Sequence, residues 1–96
     1  MRQISIWVLA AGLQMSDGSQ PDPGKQLFQK NCIRCHGADG TKGFLGAKNL
    51  QKSLLADEAI TYRIRHGKRF MPSFQKRLTA AEIEQLVNYV KTLRTN

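Results

Sequence analysis

The most constraining feature of the sequence is that both of its cysteines lie three positions apart, with a histidine directly after the second. The stretch CIRCH at residues 32–36 concentrates two thiols and one imidazole within five residues. A disulfide between Cys32 and Cys35 would close a very short loop, which restricts the unfolded chain little. The spacing therefore favours one shared site for Cys32, Cys35 and His36, which other residues must complete.

The pattern C-x-x-C-H is typical of covalent attachment of a c-type haem. Two thiols add across vinyl groups on neighbouring pyrroles and form thioethers, and two intervening residues place the sulfurs about one helical turn apart. The adjacent histidine then lies beneath the ring, with Nε2 free to bind iron. The motif predicts one haem c with its iron, attached through Cys32 and Cys35, with His36 as an axial ligand.

Two other kinds of site share part of this pattern, and a chance match is the third alternative. A thioredoxin-like dithiol is expected after a strand in a βαβ unit, and no stretch of this sequence alternates convincingly like a strand. A zinc site as a rule needs four ligands, and beyond the motif only His66 is an obvious candidate. The sequence favours haem over these alternatives.

Residues 1–20 differ from the rest of the chain. Arg2 precedes an apolar run at 4–13, and a small, polar linker follows. This order matches a secretory signal peptide, and a run of about ten residues is too short to span a bilayer as a helix. An ordinary N-terminal helix is the alternative, and small residues at 10–12 and 16–18 offer two cleavage sites. We expect a signal peptide or leader with its linker at 1–20, one domain at 21–96, no stable membrane insertion and a periplasmic location.

The domain at 21–96 contains no tryptophan and few large aromatic residues. A domain this small has a marginal core unless a disulfide, a metal or a cofactor adds to it. A large apolar cofactor meets that need better than a disulfide in so short a loop.

Three helices are predicted in this domain. The first spans about 23–31, with Asp22 as N-cap and Pro23 in the first helical position. The second spans DEAITYRIRHG at 57–67, with Asp57 as N-cap and Gly67 as the left-handed residue after its end. Long connections without strand-like alternation separate the helices, which predicts an all-α fold whose loops surround something.

The third helix has the strongest signal. Thr79 and Glu82 form the capping-box pattern, and Leu78 and Ile83 form a hydrophobic staple around it. Apolar residues then recur with a 3.6-residue period over three turns.

A second axial ligand is predicted at Met71, within RFMPSF. Met71 lies outside any helical period, between Phe70 and Pro72. Pro72 restricts the residue before it to extended conformations, which suits a thioether presented from a rigid loop. Core packing is the ordinary role of a methionine. His66 is the alternative ligand, although its position among cations at a helix end is typical of an exposed residue.

The formal net charge of +8 comes from 15 Lys and Arg against seven acidic residues. Basic residues are spread along the chain, with a denser segment at 63–70, and no recognition motif or interleaved stacking aromatics accompany them. The sequence therefore does not predict nucleic-acid binding. An acidic protein partner agrees better with the charge.

Taken in order, LFQKNCIRCHG, GKRFMPSF and RLTAAEIEQLVNYV resemble the N-terminal helix, the methionine loop and the C-terminal helix of class I mono-haem cytochromes c. The resemblance covers 25–94 and is to small bacterial and photosynthetic electron carriers. It implies three main helices with long loops around one covalently bound haem. It also implies that the N- and C-terminal helices cross, with Gly24 and Phe28 against Tyr89.

One departure from the family concerns the partner of His36. The family often has Gly-Pro after the haem motif, and the proline carbonyl accepts a hydrogen bond from Nδ1–H of the proximal histidine. This sequence has GFLGAKNL at 43–50, without proline. We expect a carbonyl near residues 45–47 to take this role, which orients the imidazole and tunes its basicity.

A haem with His and Met ligands has no vacant position, so these residues predict an electron carrier and not an enzyme. We also expect the carrier to be a monomer. A peroxidase-like or gas-binding protein with a labile or absent Met71 bond is the alternative, and a dedicated electron-donating subunit of one complex is a third hypothesis. Candidates to surround the haem edge and steer acidic redox partners are Lys30, Arg34, Lys42, Lys68, Arg69, Lys76 and Arg77.

Overall fold

The computed structural model describes residues 22–95, so the signal peptide predicted at 1–20 lies outside the described residues. Within 22–95 the regular structure is helical, and the only β-type pairing is an isolated bridge between Lys68 and Met71. The all-α prediction is confirmed. The helices are α1 (Pro23–Asn31), α2 (Ile33–His36), α3 (Asp57–His66) and α4 (Ala80–Thr92), with 3₁₀ turns at Phe44–Gly46 and Leu50–Lys52.

Helix α1 begins as predicted. The Asp22 carboxylate accepts hydrogen bonds from the backbone N–H groups of Gly24 at 2.9 Å and Lys25 at 3.3 Å. These donors have no partner inside the helix, so the cap fixes where α1 starts. One turn later Phe28 is only 1% exposed.

Helices α1 and α4 cross at a glycine, as the family resemblance implies. A Cβ at Gly24 would overlap the Gln85 carbonyl oxygen and would lie 2.9 Å from Cβ of Tyr89. The rings of Phe28 and Tyr89 pack at a centroid distance of 5.3 Å. Only glycine allows the two helices to approach this closely. The crossing packs the N-terminal helix of the domain against its C-terminal helix.

Helix α4 carries the predicted capping box. Thr79 Oγ1 accepts from the Glu82 N–H at 3.1 Å, and Glu82 Oε1 accepts from the Thr79 N–H at 2.8 Å. The apolar face of α4 is buried, and each such side chain contributes roughly 1.5–3 kcal/mol relative to exposure. The buried core consists of Phe28, Ile60, Ile64, Phe74, Ile83, Leu86, Val87 and Val90.

Helix α3 differs from its prediction at the start. Its N-cap is Ala56, and Asp57 is the first helical residue. The Asp57 carboxylate instead pairs with Lys91 of α4 at 2.9 Å, and it still lies at the positive end of the helix dipole. At the other end Gly67 has a φ of 71°, which confirms the predicted glycine stop.

Among the described helices, the longest has 13 residues, and none is long and apolar enough to cross a membrane.

Candidate haem-binding site

The cysteine-histidine motif lies on one helical turn directly after α1. The N–H groups of Cys35 and His36 both donate to the Cys32 carbonyl, at 3.3 and 3.0 Å, which closes this turn. Cys32 and Cys35 are both half-buried, and no disulfide joins them. The turn gathers the two thiols and the imidazole as the spacing predicts.

The environment of Cys32 does not suit a thiolate. Burial raises the pKa of Cys32 to about 12, and the neighbouring Cys35 adds to the shift because two thiolates would repel each other. Reactive dithiols and metal-binding cysteines have pKa values below the ordinary range. Within 22–95, no group of three or more His, Cys, Asp or Glu side chains is arranged to hold a metal ion. The site suits sulfur in a neutral thioether.

His36 has one ring nitrogen engaged and the other free. Nδ1 lies 3.1 Å from the Lys48 carbonyl oxygen. A carbonyl can only accept, so Nδ1 carries the proton, which leaves the lone pair on Nε2. Burial lowers the pKa of His36, and the bond to Lys48 opposes this shift in part. The neutral imidazole, with Nε2 available, is the form that binds iron.

The carbonyl that holds His36 was expected near residues 45–47, and it is that of Lys48, the next residue. Leu45 and Gly46 both adopt positive φ, at 55° and 81°, and fold the chain into a tight turn. Ala47 then returns to an extended conformation, with φ −59° and ψ 138°. The next carbonyl, that of Lys48, therefore faces the ring. A leucine at positive φ is uncommon, so the residue types at 45–47 did not predict this turn.

Met71 lies on a hairpin that follows α3. The backbone N–H and C=O groups of Lys68 and Met71 exchange two hydrogen bonds, both of 3.0 Å, and Arg69 between them has a φ of 56°. A Cβ at Gly67 would overlap the Met71 carbonyl oxygen and would lie 2.7 Å from the Pro72 carbonyl carbon. The hairpin is thus packed tightly against the end of α3.

The chain after Met71 is fastened to the same helix. The Phe74 N–H donates to the Ile64 carbonyl at 3.0 Å, and the Ser73 hydroxyl donates to the Arg65 carbonyl. Met71 is half-buried and packs against the core cluster, as Cys32 also does. Two of the three predicted sulfur-bearing residues, Cys32 and Met71, therefore border the same core.

His66 lies in a different environment. Its ring stacks on Tyr62 at a centroid distance of 4.1 Å, and it is exposed. It lines a groove of about 460 Å³ between α3 and α4, together with Ile83 and Val87.

Large apolar side chains are exposed on the two loops that belong to the site. A small domain rarely exposes several such residues unless something covers them. A haem would cover a wide apolar area, and the thiols, the neutral imidazole and the thioether match what attaches and ligates it. These features fit a haem. The exposed residues of these loops are Phe44, Leu45, Leu54, Leu55 and Phe70.

Comparison with known proteins agrees with this geometry. Residues 19–90 match the family described as "Cytochrome C oxidase, cbb3-type, subunit III". Cytochrome c6 of Gracilaria tenuistipitata var. liui is 34% identical over 89 residues, which cover 86% of this chain and 82% of the relative. Cytochrome c6 of Alaria esculenta is 40% identical over 75 residues, which cover 72% and 86%.

The fold is also found in a solved structure, the KustC0563 c-type cytochrome. It superposes with a TM-score of 0.69 at 30% identity, covering 75% of this chain and 98% of that one. This chain therefore belongs to the cytochrome c family, as a small class I c-type cytochrome with one haem c and its iron bound covalently through Cys32 and Cys35.

Proposed function

We propose that this protein is an electron carrier that passes one electron at a time between redox proteins, with His36 and Met71 as the axial ligands of its haem iron. When bound, the haem supplies an iron that cycles between ferric and ferrous states. The observation that carries the proposal is the bond from His36 Nδ1–H to the Lys48 carbonyl. It fixes the tautomer and orientation that an axial histidine needs.

The chain's contribution to electron transfer is to keep the site closed and rigid. A thioether ligand favours the ferrous state and raises the potential, and so does an apolar environment. Met71 is held by a hairpin with two backbone hydrogen bonds, which limits its movement between redox states. A site with both axial positions filled offers no place for a substrate, so the proposal includes no enzymatic activity.

Two observations support Met71 over His66 as the second axial ligand. Met71 packs against the same core cluster as Cys32. His66 stacks on Tyr62 and lines the groove between α3 and α4.

A redox titration combined with carbon monoxide tests this function. We expect a single reversible one-electron step, and a ferrous spectrum that carbon monoxide leaves unchanged. Rapid carbon monoxide binding, or peroxide turnover comparable to that of a peroxidase, would overturn the proposal in favour of a ligand-binding or peroxidase-like haem protein.

We also propose that the basic surface steers acidic redox partners. The seven cationic side chains predicted to surround the haem edge are all exposed: Lys30, Arg34, Lys42, Lys68, Arg69, Lys76 and Arg77. Opposite charge on a partner raises the association rate, and salt screens the effect.

Small redox ions test the steering without a known partner. The rate of oxidation by hexacyanoferrate, an anion, should fall with added salt, and Lys76→Glu should lower it further. Lys25→Glu is the matched control, because Lys25 is exposed on the first turn of α1 and is not among the seven. Equal effects of the two substitutions would overturn local steering.

For the cellular location, we propose that residues 1–20 are a signal peptide and that the mature carrier is a periplasmic monomer. Haem attachment to this motif takes place outside the cytoplasm, which agrees with an N-terminal export signal. Mass spectrometry of the protein from a periplasmic fraction should give a chain lacking roughly its first 20 residues, and size-exclusion chromatography should give a monomer. An intact chain in the cytoplasmic fraction would contradict the proposal.

A further inference from the structure

Arg63 differs from the other cations near the methionine hairpin. It is half-buried, whereas Arg65, Lys68 and Arg69 are exposed. Its guanidinium Nη1 donates to the Gly67 carbonyl at 3.2 Å, in partly buried surroundings. The guanidinium carbon also lies 5.9 Å from the centre of the Tyr62 ring, within the range of a cation–π contact.

Arg63 forms hydrogen bonds with both backbone groups of Gly67. The Gly67 N–H donates to the Arg63 carbonyl at 2.8 Å, while the Gly67 carbonyl accepts from the Arg63 side chain. Gly67 has a φ of 71° and a ψ of −179°, so its carbonyl leaves the helix direction. Among residues 22–95, Arg63 is the one group that donates a hydrogen bond to this carbonyl.

The orientation of the Gly67 peptide sets the course of the hairpin that follows. Lys68 is the next residue and pairs with Met71 through both of its backbone groups. Gly67 also packs directly against the backbone of Met71 and Pro72, with no room for a Cβ. A rotation of the Gly67 peptide would therefore move Met71.

We propose that Arg63 is a positioning residue for the axial methionine: its hydrogen bond to the Gly67 carbonyl holds the hairpin that presents Met71. The inference rests on the proposed ligation by Met71. Arg63 itself does not bind the iron. Without it, the hairpin spends more time in arrangements in which the thioether has left its position.

Imidazole added to the ferric holoprotein measures how often Met71 leaves. An external ligand binds only when the position is open, so its apparent Kd is the intrinsic Kd divided by the open fraction. We expect Arg63→Leu to lower the apparent Kd for imidazole about tenfold, the factor that the loss of one charge-assisted hydrogen bond supplies. The titration is followed by the loss of the ferric near-infrared Met–iron band.

Three variants separate positioning from charge and from general destabilisation. Arg65→Leu removes the same charge two residues along α3 from an exposed side chain, and should leave the apparent Kd within about twofold of wild type. Arg63→Lys keeps a cationic donor that reaches the same carbonyl, and should restore most of the wild-type value. Val87→Ala opens a core cavity on α4 and should lower the thermal midpoint without a matching fall in Kd.

Equal apparent Kd values for Arg63→Leu and Arg65→Leu would overturn the inference. An equally low Kd for Val87→Ala would do the same, because it would trace the effect to overall stability. A wild-type protein without the near-infrared band would overturn both this inference and ligation by Met71. A normal band with an unchanged Kd in Arg63→Leu would overturn this inference alone.

Discussion

The segments that carry His36 and Met71 are held in place by different means. His36 lies on a helical turn closed by its own neighbours, and one further contact, to Lys48, orients its ring. Met71 lies on a hairpin that depends on a separate helix, through Gly67 and Arg63. The His36 turn is closed within its own residues and needs one bond to a later loop, whereas the methionine hairpin is held by several contacts to the helix directly before it.

This difference predicts which ligand is lost first. Thioethers at Cys32 and Cys35 would hold the haem next to His36, so with the proposed ligation the iron and the imidazole would move together. Nothing covalent joins Met71 to the haem, and its position is as stable as the hairpin and its hydrogen bonds. We expect changes on the methionine side to open the site while the haem stays attached.

The largest expected effect distinguishes the residues that attach the haem covalently from the residue that ligates its iron. The double substitution of Cys32→Ala with Cys35→Ala should abolish covalent haem, detected as haem staining on a denaturing gel. Met71→Leu should keep full staining but lose the near-infrared band and turn high-spin. Staining of the double variant, or loss of staining in Met71→Leu, would contradict this separation of the two sides.

The next largest effect is expected when a glycine of the methionine hairpin is replaced by alanine. Gly67→Ala places a Cβ against the Met71 and Pro72 backbone, so we expect it to displace the hairpin and weaken or abolish the near-infrared band. Gly46→Ala is the matched control on the His36 side. Gly46 also has a positive φ, of 81°, but its added Cβ meets no protein atom within 4 Å. It should cost only about 1–2 kcal/mol of backbone strain and keep the band.

A substitution at the crossing of α1 and α4 should lower the stability of the fold without displacing either the His36 segment or the Met71 segment. Gly24→Ala forces α1 away from the Gln85 carbonyl and Tyr89, and overpacking of this kind costs about 1–3 kcal/mol. Thermal unfolding should show a midpoint several degrees lower. An unchanged midpoint would contradict the close contact of Gly24 with α4. A lost near-infrared band would mean that the crossing also determines the position of Met71.

The smallest effect is expected at the capping box. Thr79→Ala removes the acceptor for the Glu82 N–H and should cost about 1 kcal/mol of stability. Chemical denaturation measures it, and Thr79→Ser is the control, because serine keeps the hydroxyl. Neither variant should change the spectrum, since the hydrogen bonds of the cap join only Thr79 and Glu82 and involve neither ligand segment.

Local signals in the sequence were sufficient for most of the fold. The cap at Asp22, the capping box at Thr79 and the glycine at Gly67 each act within a few residues, and all three were predicted correctly. The crossing of α1 and α4 came from the family resemblance, and Gly24 shows why it holds. Asp57 was wrongly predicted as an N-cap, because its carboxylate pairs with Lys91, 34 positions away.

The site was predictable where its residues are contiguous and not where they are distant. The placement of Cys32, Cys35 and His36 on one turn follows from their spacing, whereas ligation by Met71 stays a prediction from its position before Pro72. The Lys48 carbonyl escaped prediction because every residue has a carbonyl, and its direction depends on the left-handed turn at Leu45. Arg63 escaped for a similar reason, because among many cations only burial and the contact to Gly67 distinguish it.

The near-infrared absorption of the ferric protein, recorded for wild type and Met71→Leu, tests ligation by Met71 most directly. We predict a weak Met–iron band in wild type, with sharp low-spin bands after reduction by dithionite, and no near-infrared band in the variant. A high-spin wild-type spectrum, or a low-spin one without the band, would contradict ligation by Met71. It would indicate an open haem or ligation by His66 instead.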